Sequence, residues 1–311
     1  MWFKQVHIFQ LNEKFLAYEP EKIAEQLGAF GFTPCLPSLP ASYGFVPPLG
    51  NEEGVLVHAV NQCLFFCLQF EEKILPSSVV RQAVNDRVSY LAREYDRKIS
   101  AKEKKELKEE MTQTLLTRAF TKISKLYAYI DIKNHWLVLD TNSASKTEKC
   151  IELLYRCFEE IQVSAIDTKN VSSILTTWLM DGDCSPHLFI GSACVLRDPQ
   201  QKNRVVRCQN QPLFAEGILS LVKEGCEVNQ LALDWHDRVS FCLTEKFALT
   251  SVRFHDAVLQ LAKEQSAETE QQRMDADFFI MTETLQEIIH ELLSVFSKSN
   301  KKMEKQEEVV A

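Results

Sequence analysis

Leu126-Tyr127-Ala128-Tyr129-Ile130-Asp131-Ile132, then Lys133-Asn134-His135, then Trp136-Leu137-Val138-Leu139-Asp140: two runs of aromatic and β-branched residues stand either side of three polar ones. Such runs favour the pleated, half-buried backbone of a strand. A gap this short predicts a hairpin around Lys133-Asn134, with Asn134 supplying the positive φ of the turn. Just downstream, Ser145 and Glu148 stand at capping-box spacing ahead of Ile151, Leu154, Phe158 and Ile161, which recur at helical intervals. A hairpin followed by a helix with one apolar face predicts an α+β layer structure.

Working outward, residues 6–10 read as a strand and 20–27 as a helix carrying Ile23, Ala24 and Leu27. Five prolines between 33 and 50 (Pro34, Pro37, Pro40, Pro47, Pro48) forbid a helix and predict an ordered connection before strands within 55–70. Ser77 or Ser78 is positioned to cap a helix with Val80, Val84, Val88, Leu91 and Tyr95 on one face. Ser100 with Glu103 then opens another, whose apolar stripe (Leu107, Met111, Leu115) is too narrow for a buried element. The C-terminal third repeats the mixed pattern, with strands near 187–196, 205–208, 231–235 and 239–243 and helices near 214–222 and 275–296. The expected organisation is α+β: two mixed lobes and a projecting helical tip. Residues 1–75 and 126–175 form a central domain, 76–125 a basic helical tip, 176–297 a C-terminal domain and 298–311 a disordered tail.

Of 311 residues, 45% are hydrophobic and 25% charged, ordinary globular usage. His58, Asn61 and Gln62 interrupt the longest apolar stretch, so no membrane span is expected, and the N-terminus lacks the pattern of a signal peptide. Ten scattered cysteines without a Cys-x-x-Cys pair predict free thiols in a cytoplasmic protein; Cys63 with Cys67 and Cys150 with Cys157 fit packing along an element. The net charge of −8 argues against a nucleic-acid partner. Its distribution argues otherwise. Between residues 97 and 125 nine basic residues stand against four acidic ones, a local excess of five positive charges in an otherwise strongly acidic chain.

No phosphate-cradling glycine loop, nucleophile elbow or zinc-protease motif is present, so neither a cofactor nor a catalytic residue is expected. Asp181-Gly182-Asp183 could hold a divalent metal in a nuclease but reads as a turn, since Gly and Asp tolerate turn angles. Asp234-Trp235-His236-Asp237 sits between two strand-like runs, which makes His236-Asp237 a solvated hairpin turn rather than a base and its orienter. No metal site is expected from either. The basic segment remains. Lys102 with Glu106 and Lys105 with Glu109 are spaced as a solvated, charge-paired helix face. Arg118-Ala119-Phe120-Thr121-Lys122 instead places an aromatic ring between two cations. If exposed, that arrangement suits DNA, the cations meeting phosphates while the ring packs against sugars or wedges at a base step. If Phe120 is tucked into the body, it is a local core residue.

Along nearly its whole length the sequence resembles the RdgC family. The resemblance is carried by Met1-Trp2-Phe3-Lys4, Phe32-Thr33-Pro34-Cys35, Val46-Pro47-Pro48-Leu49-Gly50, Glu71-Glu72-Lys73-Ile74-Leu75-Pro76, Arg118-Ala119-Phe120, Leu231-Ala232-Leu233-Asp234-Trp235 and Asp275-Ala276-Asp277-Phe278, in that order. It implies a nucleoid-associated, non-enzymatic homodimer of horseshoe-shaped subunits. The resulting ring would encircle double-stranded DNA without sequence preference and restrain the recombinase RecA. A positive lining can coexist with an acidic exterior when the duplex is enclosed. Arg97, Arg118 and Phe120 match positions the family uses at or near DNA; Lys98, Lys122, Arg207 and Gln211 complete the expected contact set. The match is imperfect after Arg207 and near Gly225, where other members carry lysines and this chain has Gln209, Asn210, Gln211 and Cys226. The resemblance leaves open a protein-interaction module whose basic helix meets an acidic partner, and a metal-dependent nuclease using Asp181 and Asp183.

Overall fold

The eleven-residue run Cys63–Lys73 alternates two buried sets: Cys63, Phe65 and Cys67 point to one face, and Leu64, Phe66, Leu68 and Phe70 to the other. A strand apolar on both faces must lie mid-sheet with cover on both sides. That is its position in the computed structural model, which describes residues 2–13, 19–50, 54–201, 203–265 and 269–310. Met1 and Ala311 lie outside the described residues.

In chain order the elements are β1 (His7–Leu11), α1 (Pro20–Gly28), β2 (Ala41–Val46), β3 (Val57–Val60), β4 (Cys63–Lys73), α2 (Ser77–Glu94), α3 (Ala101–Leu116), β5 (Thr121–Asp131), β6 (Trp136–Leu139), α4 (Ala144–Cys157), β7 (Val163–Ala165) and α5 (Val171–Asp181). There follow β8 (Leu188–Arg197), β9 (Val205–Cys208), α6 (Glu216–Lys223), β10 (Glu227–Trp235), β11 (Val239–Thr244), β12 (Leu249–Phe254), α7 (Asp256–Glu264) and α8 (Glu270–Val310). The architecture is α+β, as expected. One sheet runs β2-β4-β5-β6-β1-β7, with β3 sharing the β2 edge of β4; the other runs β12-β11-β10-β8-β9. Every pairing between named strands is antiparallel.

On one face of the first sheet α1 and α4 bury Ile23, Leu27, Cys150, Leu153 and Leu154 against Phe66, Leu68, Ile130 and Leu137. On the other lies α8. Its Phe278 ring meets Phe65 and Tyr129 at 4.8 and 5.8 Å between centroids, and Gln286 Nε2 donates to the buried Asp131 carboxylate at 2.8 Å. The same helix packs Phe296 against Trp178 of α5 and Phe247 beside β12. α8 thus shares a core with both sheets, and a two-way backbone bridge between Val6 and Leu249 ties the sheets together near the N-terminus.

Several expectations need correction. The proline-rich connection contains β2, because Ala41–Val46 between the prolines is proline-free and its N–H groups can pair with β4. The positive φ of the central hairpin falls at His135, while Asn134 is held by Asp131, which accepts from its backbone N–H (2.9 Å) and its side-chain Nδ2 (2.7 Å). α4 is capped by Ser143, whose hydroxyl accepts from the Lys146 N–H, and not by Ser145 with Glu148. Neither Ser77 nor Ser78 caps α2, which starts directly after Pro76. The charged stretch after Ser297 is described as a continuation of α8 to Val310. Its Lys and Glu residues are good helix formers.

Ten cysteines are free, and burial pushes the thiols of Cys63, Cys67, Cys157 and Cys194 up to about 12. At neutral pH these four are protonated packing groups rather than nucleophiles. No helix among the described residues is long and apolar enough to cross a membrane.

Candidate nucleic-acid interface

β4 and β5 are paired along their full length, Lys73 opposite Thr121, and the chain between them forms the helical hairpin α2–α3. The hairpin therefore grows out of one end of the first sheet. It buries almost nothing: Val80 is the buried residue of α2 and Leu116 that of α3. A helix pair so thinly apolar stands clear of the body, as the narrow stripe of Leu107, Met111 and Leu115 suggested.

Its outer turn is built by a capping box. The Glu103 backbone N–H donates to Ser100 Oγ (3.3 Å), and the Ser100 N–H donates to Glu103 Oε2 (2.9 Å). The same carboxylate accepts two bonds from the Arg97 guanidinium, at 3.0 and 2.6 Å. This fork holds the Glu103 carboxyl down at about 2, with the Ser100 contacts adding to the effect, and raises Arg97. Arg97 is thus engaged within the turn, whereas the neighbouring Lys98 is exposed and without an ion pair to any described carboxylate.

Arg118, Phe120 and Lys122 lie at the other end of α3, where the hairpin rejoins the sheet. At 1.5 Å per residue the 16 residues of α3 separate the two groups by roughly 24 Å. Phe120 is 85% exposed, which removes the core reading of its ring; its backbone carbonyl meanwhile accepts from the Ile74 N–H at 2.7 Å and anchors the position. Arg118 and Lys122 are exposed and make no ion pair with a described carboxylate. Along the hairpin, Lys102 reaches Glu106 at 4.0 Å, but the expected Lys105–Glu109 pair is not made. Lys105 instead joins Lys104, Lys108 and Arg81 around a groove of about 660 Å³ between the helices. Arg81 had no signal in the sequence, since only the packing of α2 on α3 brings it to those lysines.

Arg207 belongs to the other sheet, and Gln211 lies in the segment that follows β9. Arg207 is exposed on β9, and with Arg197, Gln209 and Lys246 it lines a cleft of about 460 Å³ that also takes in His7 and Asn142 from the first sheet's side. Burial, with Lys246 nearby, holds the His7 imidazole below its ordinary range, so it is uncharged there at neutral pH. Gln211 donates its N–H to Ser192 O at 3.3 Å. Six of the seven expected residues thus occupy three places, the hairpin's outer turn, its root and the inter-sheet cleft, while Gln211 follows β9 and does not line that cleft.

Asp181 and Asp183 are exposed around Gly182, which ends α5 in the left-handed conformation at φ 74°, the helix-stop turn their composition suggests. His236 and Asp237, with φ of 53° and 52°, form the β10–β11 hairpin turn.

Residues 1–299 match the model of a family described as "Putative exonuclease, RdgC". Relatives named "Recombination-associated protein RdgC" are similar over almost the whole chain. The one from Halorhodospira halophila is 32% identical over 297 residues, covering 95% of this chain and 98% of its own. That from Sodalis glossinidius is 33% identical over 295 residues, covering 94% and 96%, and that from Proteus mirabilis 30% over 296, covering 95% and 98%.

Proposed function

This chain belongs to the RdgC family, and from that premise we propose that it is a non-enzymatic, sequence-independent binder of double-stranded DNA that acts in recombination. The observation that carries the reading is the Phe120 ring, standing in solvent between two unpaired cations at the root of a basic helical hairpin. In water such a ring is unfavourable; against a sugar or a base step it gains contact, while Arg118 and Lys122 meet phosphates. Lys98 at the outer turn and Arg207 in the cleft extend the cationic surface, Gln211 adds a neutral hydrogen-bonding contact, and Arg97 contributes insofar as phosphate competes with Glu103.

In this reading the subunits are horseshoes that pair into a ring around the duplex, and occupancy of DNA in the nucleoid limits RecA. Exposed Val79 and Tyr90 on α2, with Tyr95 just beyond its end, offer apolar surface that a second subunit can cover. No bond in DNA needs to break. The test is light-scattering mass together with retention on covalently closed and linear random-sequence duplex. A dimeric mass, with complexes that withstand a salt wash on closed circles but run off linear ends, is expected. A monomer, or equal loss from both forms, would overturn the ring, and duplex cut on incubation with magnesium or manganese would overturn the non-enzymatic reading.

A further inference from the structure

We propose that His187, His236 and Glu291 form a binding site for a borderline divalent cation of the Zn²⁺ class. The three come from separate elements: the segment leading into β8, the β10–β11 turn and α8. Their ligand atoms all lie within 4.8 Å of one another. His187 Nδ1 approaches Glu291 Oε1 at 3.2 Å, and the two imidazole rings stack with centroids 4.2 Å apart. Two imidazoles and one carboxylate are the donor set that Zn²⁺ takes with a fourth position left for water.

The surroundings hold the ligands in place. The buried Trp235 donates its indole Nε1–H to Glu291 Oε2 at 2.7 Å, and Ser185 Oγ donates to Glu291 Oε1 at 3.2 Å, which fixes the carboxylate beside His187. Such outer partners set the orientation of metal-ligating groups. His236 is set by its left-handed turn conformation, and its N–H donates to His187 O at 3.1 Å, so the two histidines are registered by backbone as well as by stacking. A cation here would cross-link α8 to the strands it packs upon. The proposal is independent of DNA binding, and each can fail without the other.

The test uses the full-length chain stripped with a chelator and titrated with Zn²⁺ against a chromophoric competitor. One ion per chain is expected, with a rise in Tm that Mg²⁺ does not reproduce. His236→Asn keeps a residue that tolerates the turn and should weaken uptake at least about tenfold; His187→Ala with His236→Asn should abolish it while circular dichroism stays unchanged. Co²⁺ substitution should give a spectrum without a thiolate charge-transfer band. No uptake by the wild type, equal uptake by the double variant, or a thiolate band would each overturn the site.

Discussion

Phe120 has the bulk of a core residue and an exposure of 85%, and the difference matters for what its replacement should do. Phe120→Ser should leave Tm nearly unchanged, because no buried contact is lost, and should weaken duplex binding by about 1 to 3 kcal/mol, the scale of an aromatic contact to a base. A variant of unchanged affinity would assign the ring no part in DNA binding. Glu103 makes the opposite case. Its carboxyl lies below its ordinary 4.5, at about 2, so its favourable contribution is complete above that ordinary value and is lost as the pH falls through the interval. At neutral pH the fork onto Arg97 is therefore fully formed. Glu103→Gln retains a capping side chain but weakens the hold on the guanidinium. Freed Arg97 should tighten duplex binding at low salt and steepen the log–log salt dependence by up to about 0.9, the increment for one phosphate. Titrations at several salt concentrations check this, and an unchanged slope would mean that Arg97 serves the turn and not the DNA. The sequence displays both residues but not their surroundings: neither the exposure of Phe120 nor the six-residue reach of Arg97 to Glu103 follows from spacing.

Among the elements, the legible ones were those whose pattern and packing agree. β5, β6 and β9 to β11 carry β-rich runs, and the buried face of α8 is written at helical intervals from Phe278 to Phe296. The expectations were silent on α5, whose Val171, Ile174, Thr176 and Thr177 are β-branched and whose helix is imposed by burial of Leu175, Trp178 and Leu179. They also missed β12, which joins the sheet only at its edge. α8 has the largest structural consequence, since one helix fills both the inner face of the first sheet and the core of the second. Phe278→Ala, deep between Phe65 and Tyr129, should cost about 3 to 5 kcal/mol in a denaturant titration, as truncation of buried phenylalanines does. A loss below 1 kcal/mol would show that α8 is not a shared core element. The hairpin α2–α3 stands at the other extreme, with one buried residue in each helix. Arg118→Ala with Lys122→Ala should therefore leave stability within about 0.5 kcal/mol and reduce DNA affinity, read by comparing Tm with binding on the same preparation.

Over the whole molecule a net charge of −8 coexists with cationic patches at the hairpin turn, along its groove, at its root and in the inter-sheet cleft. The local excess between residues 97 and 125 was legible in the sequence. Its division between two ends of a helix, and the joining of Arg207 to Arg197 and Lys246, required the fold. The same holds for His187 and Glu291, 104 residues apart, which only the docking of α8 brings together. If the cationic places act together on one duplex, binding is dominated by phosphate neutralisation and indifferent to sequence. The most direct test is the affinity of the full-length chain for random-sequence duplex across a salt series. The expected result is binding at low salt that falls steeply as salt rises, with a log–log slope corresponding to about four to eight phosphates per dimer. A flat dependence, or no binding at low salt, would contradict the account and leave the basic hairpin as a solvated face.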